Sequence, residues 1–221
     1  SLSVMAAASG ATQSKYVARR ETPVFIAENC TQCMQCITAC PDTAMPNSAH
    51  DINTILTTAI VNYITKETMV SELRKEVAGL EERCRKQMNK NIENKEKVPF
   101  KEILEVELKE LNSIDEDSRN EFLQIINKLP LAYNNVTAIF RTLERKKPGK
   151  GGFFSIFISD LCKGCGECVQ VCGEHNALQM SKETPALNAD LSTAQVFSRL
   201  LPETKQKFLG AFQAENPEEA R

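Results

Sequence analysis

No stretch of this chain is apolar for the roughly 20 residues that a bilayer-spanning helix needs; the segment around Ile60 and Ile64 is interrupted by Asn62 and Tyr63. No membrane partner is expected. A field of one sign is missing too. The 27 basic and 29 acidic side chains leave a formal charge of -2, so neither nucleic acid nor anionic lipid is attracted in general, and no nucleic-acid partner is expected. Wholesale disorder is excluded, because 42% hydrophobic and 25% charged residues are ordinary for a globular protein. A chain of 221 residues is long enough to bury a core and is expected to form two unequal parts.

Cysteine is what the chain has in excess. Eight of its nine cysteines fall in two tight sets, Cys30-x2-Cys33-x2-Cys36-x3-Cys40-Pro41 and Cys162-x2-Cys165-x2-Cys168-x3-Cys172-Gly173. Disulfides between such close neighbours would staple little of the fold, which argues against a secreted disulfide framework. Reduced thiolates acting as metal ligands fit better, and they belong in a reducing compartment, so a cytoplasmic location is expected.

Each set matches the run of bacterial two-cluster ferredoxins. Three cysteines at intervals of three turn their sulfurs inward to three corners of one 4Fe-4S cubane and leave the fourth out of reach. In two-cluster ferredoxins that fourth cysteine serves the other cluster. The expected ligands are therefore Cys30, Cys33, Cys36 and Cys172 for one cluster, and Cys162, Cys165, Cys168 and Cys40 for the other. Pro41 suits a chain turning away after its last ligand, and Gly173 does that job through its conformational freedom. Gly164 and Gly166 ease the second turn and let the backbone approach sulfur. Zinc is the alternative occupant of a thiolate quartet, but zinc pairs are normally separated by a dozen or more residues, and two complete runs favour clusters.

The chain repeats itself around these sets. Residues 23–26 (PVFI) and 153–158 (FFSIFI) read as short strands, each followed by an acidic residue and then cysteine. Ala44-Met45 and Ala177-Leu178 follow the sets at parallel places. The expected fold is α+β: a two-cluster, bacterial ferredoxin-like, ββ-duplicated domain interrupted by a large all-helical insert. Its expected parts are a lead over 1–20, a first half over 21–46, the insert over 47–152, a second half over 153–182, and a tail over 183–221 toward a missing domain. The lead is rich in Ala and Ser and resembles a transit peptide in composition; a linker from a larger polypeptide is the expectation adopted.

Within the insert, Ile52, Ile55, Leu56, Ile60 and Ile64 trace an amphipathic helix that Asp51 is placed to cap. Val70, Leu73, Val77, Leu80 and Cys84 continue as a short heptad seam. The polar tract 89–97 is expected to end that helix as an exposed connection. Further helices are expected over 100–111, 118–128 and 133–146, and in the tail near 191–200 and 204–212. Cys84 reads as a buried core thiol, His175 as a surface-loop residue, and His50 as structural. The basic run 141–150 (RTLERKKPGK) is either a solvated face or a dock for an acidic electron carrier.

The segment 30–46 (CTQCMQCITACPDTAMP), preceded by PVFIAEN, resembles the first cluster segment of pyruvate:ferredoxin oxidoreductases and related 2-oxoacid oxidoreductases. The lead 10–20 (GATQSKYVARR), the segment 160–180 (DLCKGCGECVQVCGEHNALQM) and the tail over 194–201 are similar to that family as well. About half of the chain is covered. The resemblance implies a relay domain that takes electrons from thiamine diphosphate on other domains of the parent oxidoreductase and passes them to ferredoxin or flavodoxin. It implies no catalytic residue here, since nothing in the chain looks like a thiamine diphosphate or coenzyme A site. A free-standing ferredoxin-like carrier is the alternative. Gly173, where proline is usual, and the long insert depart from the family.

Overall fold

The computed structural model describes residues 19–111 and 114–209. Most of the expected lead, and the end of the helix expected over 204–212, lie outside the described residues. In chain order the elements are β1 (Glu21–Phe25), α1 (Gln35–Thr38), β2 (Asn47–Asp51), α2 (Ile52–Tyr63), α3 (Glu67–Glu93), α4 (Phe100–Lys109), α5 (Glu116–Asn127), α6 (Thr142–Lys146), β3 (Gly152–Ile156), α7 (Glu167–Cys172), β4 (Leu178–Lys182) and α8 (Pro185–Leu200). The class is α+β, with small antiparallel sheets. No helix among the described residues is long and apolar enough to cross a membrane.

Each of the two sheets has two strands, one from either side of the helical segment. β1 pairs with β4, Glu21 opposite Lys182 and Phe25 opposite Leu178. β2 pairs with β3, Asn47 opposite Ile156 and Asp51 opposite Gly152. This corrects the expectation that the all-helical insert begins at Asn47, because residues 47–51 are a strand. Their sequence, NSAHD, carries no strand signal of its own; the paired backbone of β3 imposes the conformation.

α2 begins where its apolar pattern begins, but Asp51 does not cap it with its side chain. That carboxylate instead accepts from Lys205 at 2.6 Å and from Lys207, which straps the segment 205–207 to β2. α3 runs on to Glu93, a helix of 27 residues. The exposed connection expected from residue 89 starts later because Met88 and Asn91 still face inward and are 0% and 1% exposed. The helix expected over 133–146 is, by contrast, shorter. Ala132 pairs with Phe154 on the edge of β3, and a π-helical turn, Thr137–Arg141, leads into α6. α8 starts earlier than expected, where Thr184 accepts a hydrogen bond from the Leu187 amide at 3.1 Å and Pro185 supplies the first helical residue. Of the last expected helix only a 3-10 turn, Gln206–Phe208, is described.

Alternation along β3 joins two cores. Phe153 lies in the helical core with Ile55, Leu80, Phe122 and Phe197, and meets Phe100 edge-on at 4.6 Å between ring centroids. Phe154 and Ile156 face the other way, into a second core that contains Cys30, Cys36, Cys168 and Cys172. Successive strand residues point to opposite faces, so one buried strand anchors the helical layer to the cysteine-bearing layer.

Candidate metal centre

The two cysteine loops have one backbone design. In the first, Gln32 and Met34 adopt φ of 61° and 65°; in the second, Gly164 and Gly166 adopt 71° and 83°. These are equivalent places, two and four residues after the first cysteine of each set. The left-handed conformation costs a non-glycine residue roughly 1–3 kcal/mol, so the first loop holds strain that the second avoids. Gly164 has a further reason to lack a side chain. A Cβ there would stand 2.4 Å from the Glu21 carbonyl oxygen.

Met34 and Gly166 open the short helices α1 and α7, which pack against each other. This contact carries the fourth cysteine of each run across to the other loop. Cys30, Cys33, Cys36 and Cys172 line one hollow, together with Phe25, Phe154 and Ile156. Cys162, Cys165, Cys168 and Cys40 line the other, beside Pro23, Met45 and Gly164. Cys33 and Cys165 are the exposed members of their sets. Gly173 ends α7 at φ 48°, the permissive turn that the sequence suggests.

Among the described residues, no three His, Cys, Asp or Glu side chains stand close enough to hold a single ion. A tetrahedral zinc site with bonds of 2.3 Å would bring its sulfurs within roughly 3.8 Å of one another. The thiols of each set line a hollow instead.

Burial raises the Cys30 and Cys36 thiols to about 11, and in each case charge repulsion from Cys33 and Cys172 adds to it. Cys168 is pushed up to about 12, again by burial first and then by Cys162, Cys36, Cys165 and Cys40. Without metal these three stay protonated at neutral pH. Cluster iron would exchange those protons for metal-sulfur bonds, so loading is coupled to proton release. The influence of Cys36 on Cys168 also marks the two hollows as neighbours.

Backbone amides turn toward sulfur in both halves. Ala44 N donates to Cys40 Sγ at 3.3 Å, Ala177 N to Cys172 Sγ at 3.3 Å, and Gln32 N to Cys30 Sγ at 3.4 Å. Such donors stabilise the negative charge that a reduced cluster gains, and they are one of the means by which a protein sets its potential. The repeated alanines are the sequence signal for two of them.

Other positions are sorted by burial. Cys84 is 0% exposed in the helical core, and burial pushes its thiol up to about 12. His50 is buried in β2, where desolvation lowers its pKa and keeps it neutral. His175 is exposed at the rim of the first hollow. Sequence reasoning assigned Arg19 to a linker, but its Nε donates to Glu183 at 2.8 Å and its Nη1 to the carbonyls of Ser159 at 3.2 Å and Cys162 at 3.4 Å. It thereby pins the second loop.

Residues 27–46 and 159–175 match the 4Fe-4S binding domain family. These two stretches contain all eight cysteines of the runs and leave out the helical segment between them. They cover less than half of the chain, so the similarity concerns the cysteine-bearing part. No curated protein and no solved structure matches the chain.

Proposed function

We propose that this chain is the electron-transfer part of a 2-oxoacid:ferredoxin oxidoreductase of the cytoplasm, built on a duplicated ferredoxin-like domain with two 4Fe-4S clusters. Cys30, Cys33, Cys36 and Cys172 hold the first, and Cys162, Cys165, Cys168 and Cys40 hold the second. The observation that carries this reading is the exchange of fourth cysteines, Cys172 into the first hollow and Cys40 into the second.

When bound, the clusters supply one-electron chemistry that no side chain offers. The chain's own residues have simpler tasks. The thiolates fix the iron, the Ala44 and Ala177 amides face sulfur, and Phe154 and Ile156 exclude water from the first site. The parent enzyme rests on the resemblance of residues 30–46 and 160–180. It implies thiamine diphosphate on other domains as the electron source, and ferredoxin or flavodoxin as the acceptor.

Electron paramagnetic resonance of the dithionite-reduced chain tests the two-cluster reading. Two reduced clusters in neighbouring hollows produce a spectrum broadened by their mutual interaction. A simple spectrum from one isolated centre, or none, would contradict it. The loaded chain alone is expected to leave a 2-oxoacid and coenzyme A unreacted; turnover would show that the chain is more than a relay.

A further inference from the structure

A groove of about 860 Å³ lies between the end of α3 and the segment 134–148. Its walls also hold the first cysteine loop. Lys97 Nζ donates to Asn29 Oδ1 at 2.7 Å, Asn135 Nδ2 to the Glu28 carbonyl at 3.0 Å, and the Ile139 amide to Gln32 Oε1 at 3.4 Å. The π-helical turn makes the link most direct. Its Ile139 is buried in the cysteine core, while Arg141, two residues on, lines the groove.

The charges in the groove are not balanced within it. Lys95, Lys97, Arg141 and Arg145 line it against Glu93, Glu96 and Glu144. Glu144 is already engaged by Arg85 at 2.9 Å and by the Gly149 and Gly151 amides. All four cations are exposed, and none has a carboxylate partner within ion-pair distance among the described residues. Exposed cations across a wide groove suit a broad anionic surface better than a small ligand, which needs enclosed polar groups to fix it. An apolar contact is present on the loop that the groove supports, where Met34, 40% exposed, lines the first hollow beside exposed Cys33.

We propose that the helical segment is the docking platform for a small acidic electron-carrier protein, seated over this groove with its redox centre toward Cys33 and Met34. One electron then leaves the reduced cluster on Cys30, Cys33, Cys36 and Cys172 and reduces the carrier's centre by one, with no bond made or broken. The exit is the first cluster, not the second. This proposal rests on the electron-relay reading and adds the partner's chemistry and its site.

The probe is a small acidic ferredoxin, titrated in its oxidised form against the full chain purified without oxygen, at low and at physiological ionic strength. The double variant R141E/R145E is expected to weaken binding about tenfold or more at low salt and to flatten the salt dependence. Lys182→Glu is the comparison on the other side. Lys182 lies opposite Glu21, whose carbonyl backs the second loop, and its reversal is expected to change binding less than about twofold. Carbodiimide coupling should join Lys95 or Lys97 to the carrier. The proposal is overturned if R141E/R145E binds like the parent chain, if Lys182→Glu weakens binding as much, or if coupling maps to the second loop. Iron and sulfide are assayed in the same samples. Their absence would sink the relay reading itself, whereas full clusters with binding indifferent to the groove would sink the docking site alone.

Discussion

Cys172 and Cys30 stand in one hollow although the whole helical segment separates them in sequence. Cys40 crosses in the opposite direction, into the hollow of Cys162, Cys165 and Cys168. Cys172→Ser should therefore damage the first cluster, and Cys40→Ser the second. Each variant is expected to keep about four of about eight irons, with different cluster signals surviving in electron paramagnetic resonance. The same surviving signal in both variants would refute the exchange.

Gly164 bears on folding through its closeness to the Glu21 carbonyl. Gly164→Ala is expected to cost roughly 1–3 kcal/mol from its conformation, plus whatever displacing that carbonyl adds. Gly149, at φ 83° with open space around it, is the control, and alanine there should cost only the same conformational amount, roughly 1–3 kcal/mol, with no carbonyl to displace. Anaerobic denaturant titration measures both. Equal losses would mean that the close approach is unimportant.

Arg85 and Glu144 form an ion pair of 2.9 Å whose side chains are 8% and 9% exposed. Glu144→Leu alone leaves the guanidinium with one carboxylate, Glu81 at 2.7 Å, in place of two, and should destabilise the chain by roughly 1–3 kcal/mol. The double variant Arg85→Met/Glu144→Leu should recover most of that loss, since an apolar pair of similar volume avoids the cost of burying charge. No recovery would show that the amides of Gly149 and Gly151, which Glu144 also holds, matter more.

Cys84 is expected to be inert. Its pKa lies at about 12, well above neutral pH, so almost no thiolate forms, and its 0% exposure denies reagents access. Iodoacetamide should label Cys84 only after denaturation, as peptide mass mapping can show. Labelling in the native, loaded chain would place it outside the core.

The cysteine sets were legible because cluster ligation demands residue type and spacing together, and nothing else in the chain competes with that signal. β3 was legible from FFSI, whereas β2 was not, because its residues hold the strand conformation only through their pairing with β3. The seam of α3 faded at residue 89 because Asn91, a polar residue, occupies a buried position. Gln87 Nε2, one turn away, donates to its side-chain oxygen at 2.8 Å, while the Asn91 Nδ2 is buried without a hydrogen-bond partner among the described residues. Arg19 and the Lys205–Asp51 contact were out of reach for a different reason. Both join segments distant in sequence, and a local pattern carries no trace of its far partner.

The most direct measurement is iron, acid-labile sulfide and zinc per chain after purification without oxygen. The account predicts about eight irons and about eight sulfides with negligible zinc. Stoichiometric zinc without sulfide would contradict it and make the two hollows structural metal sites.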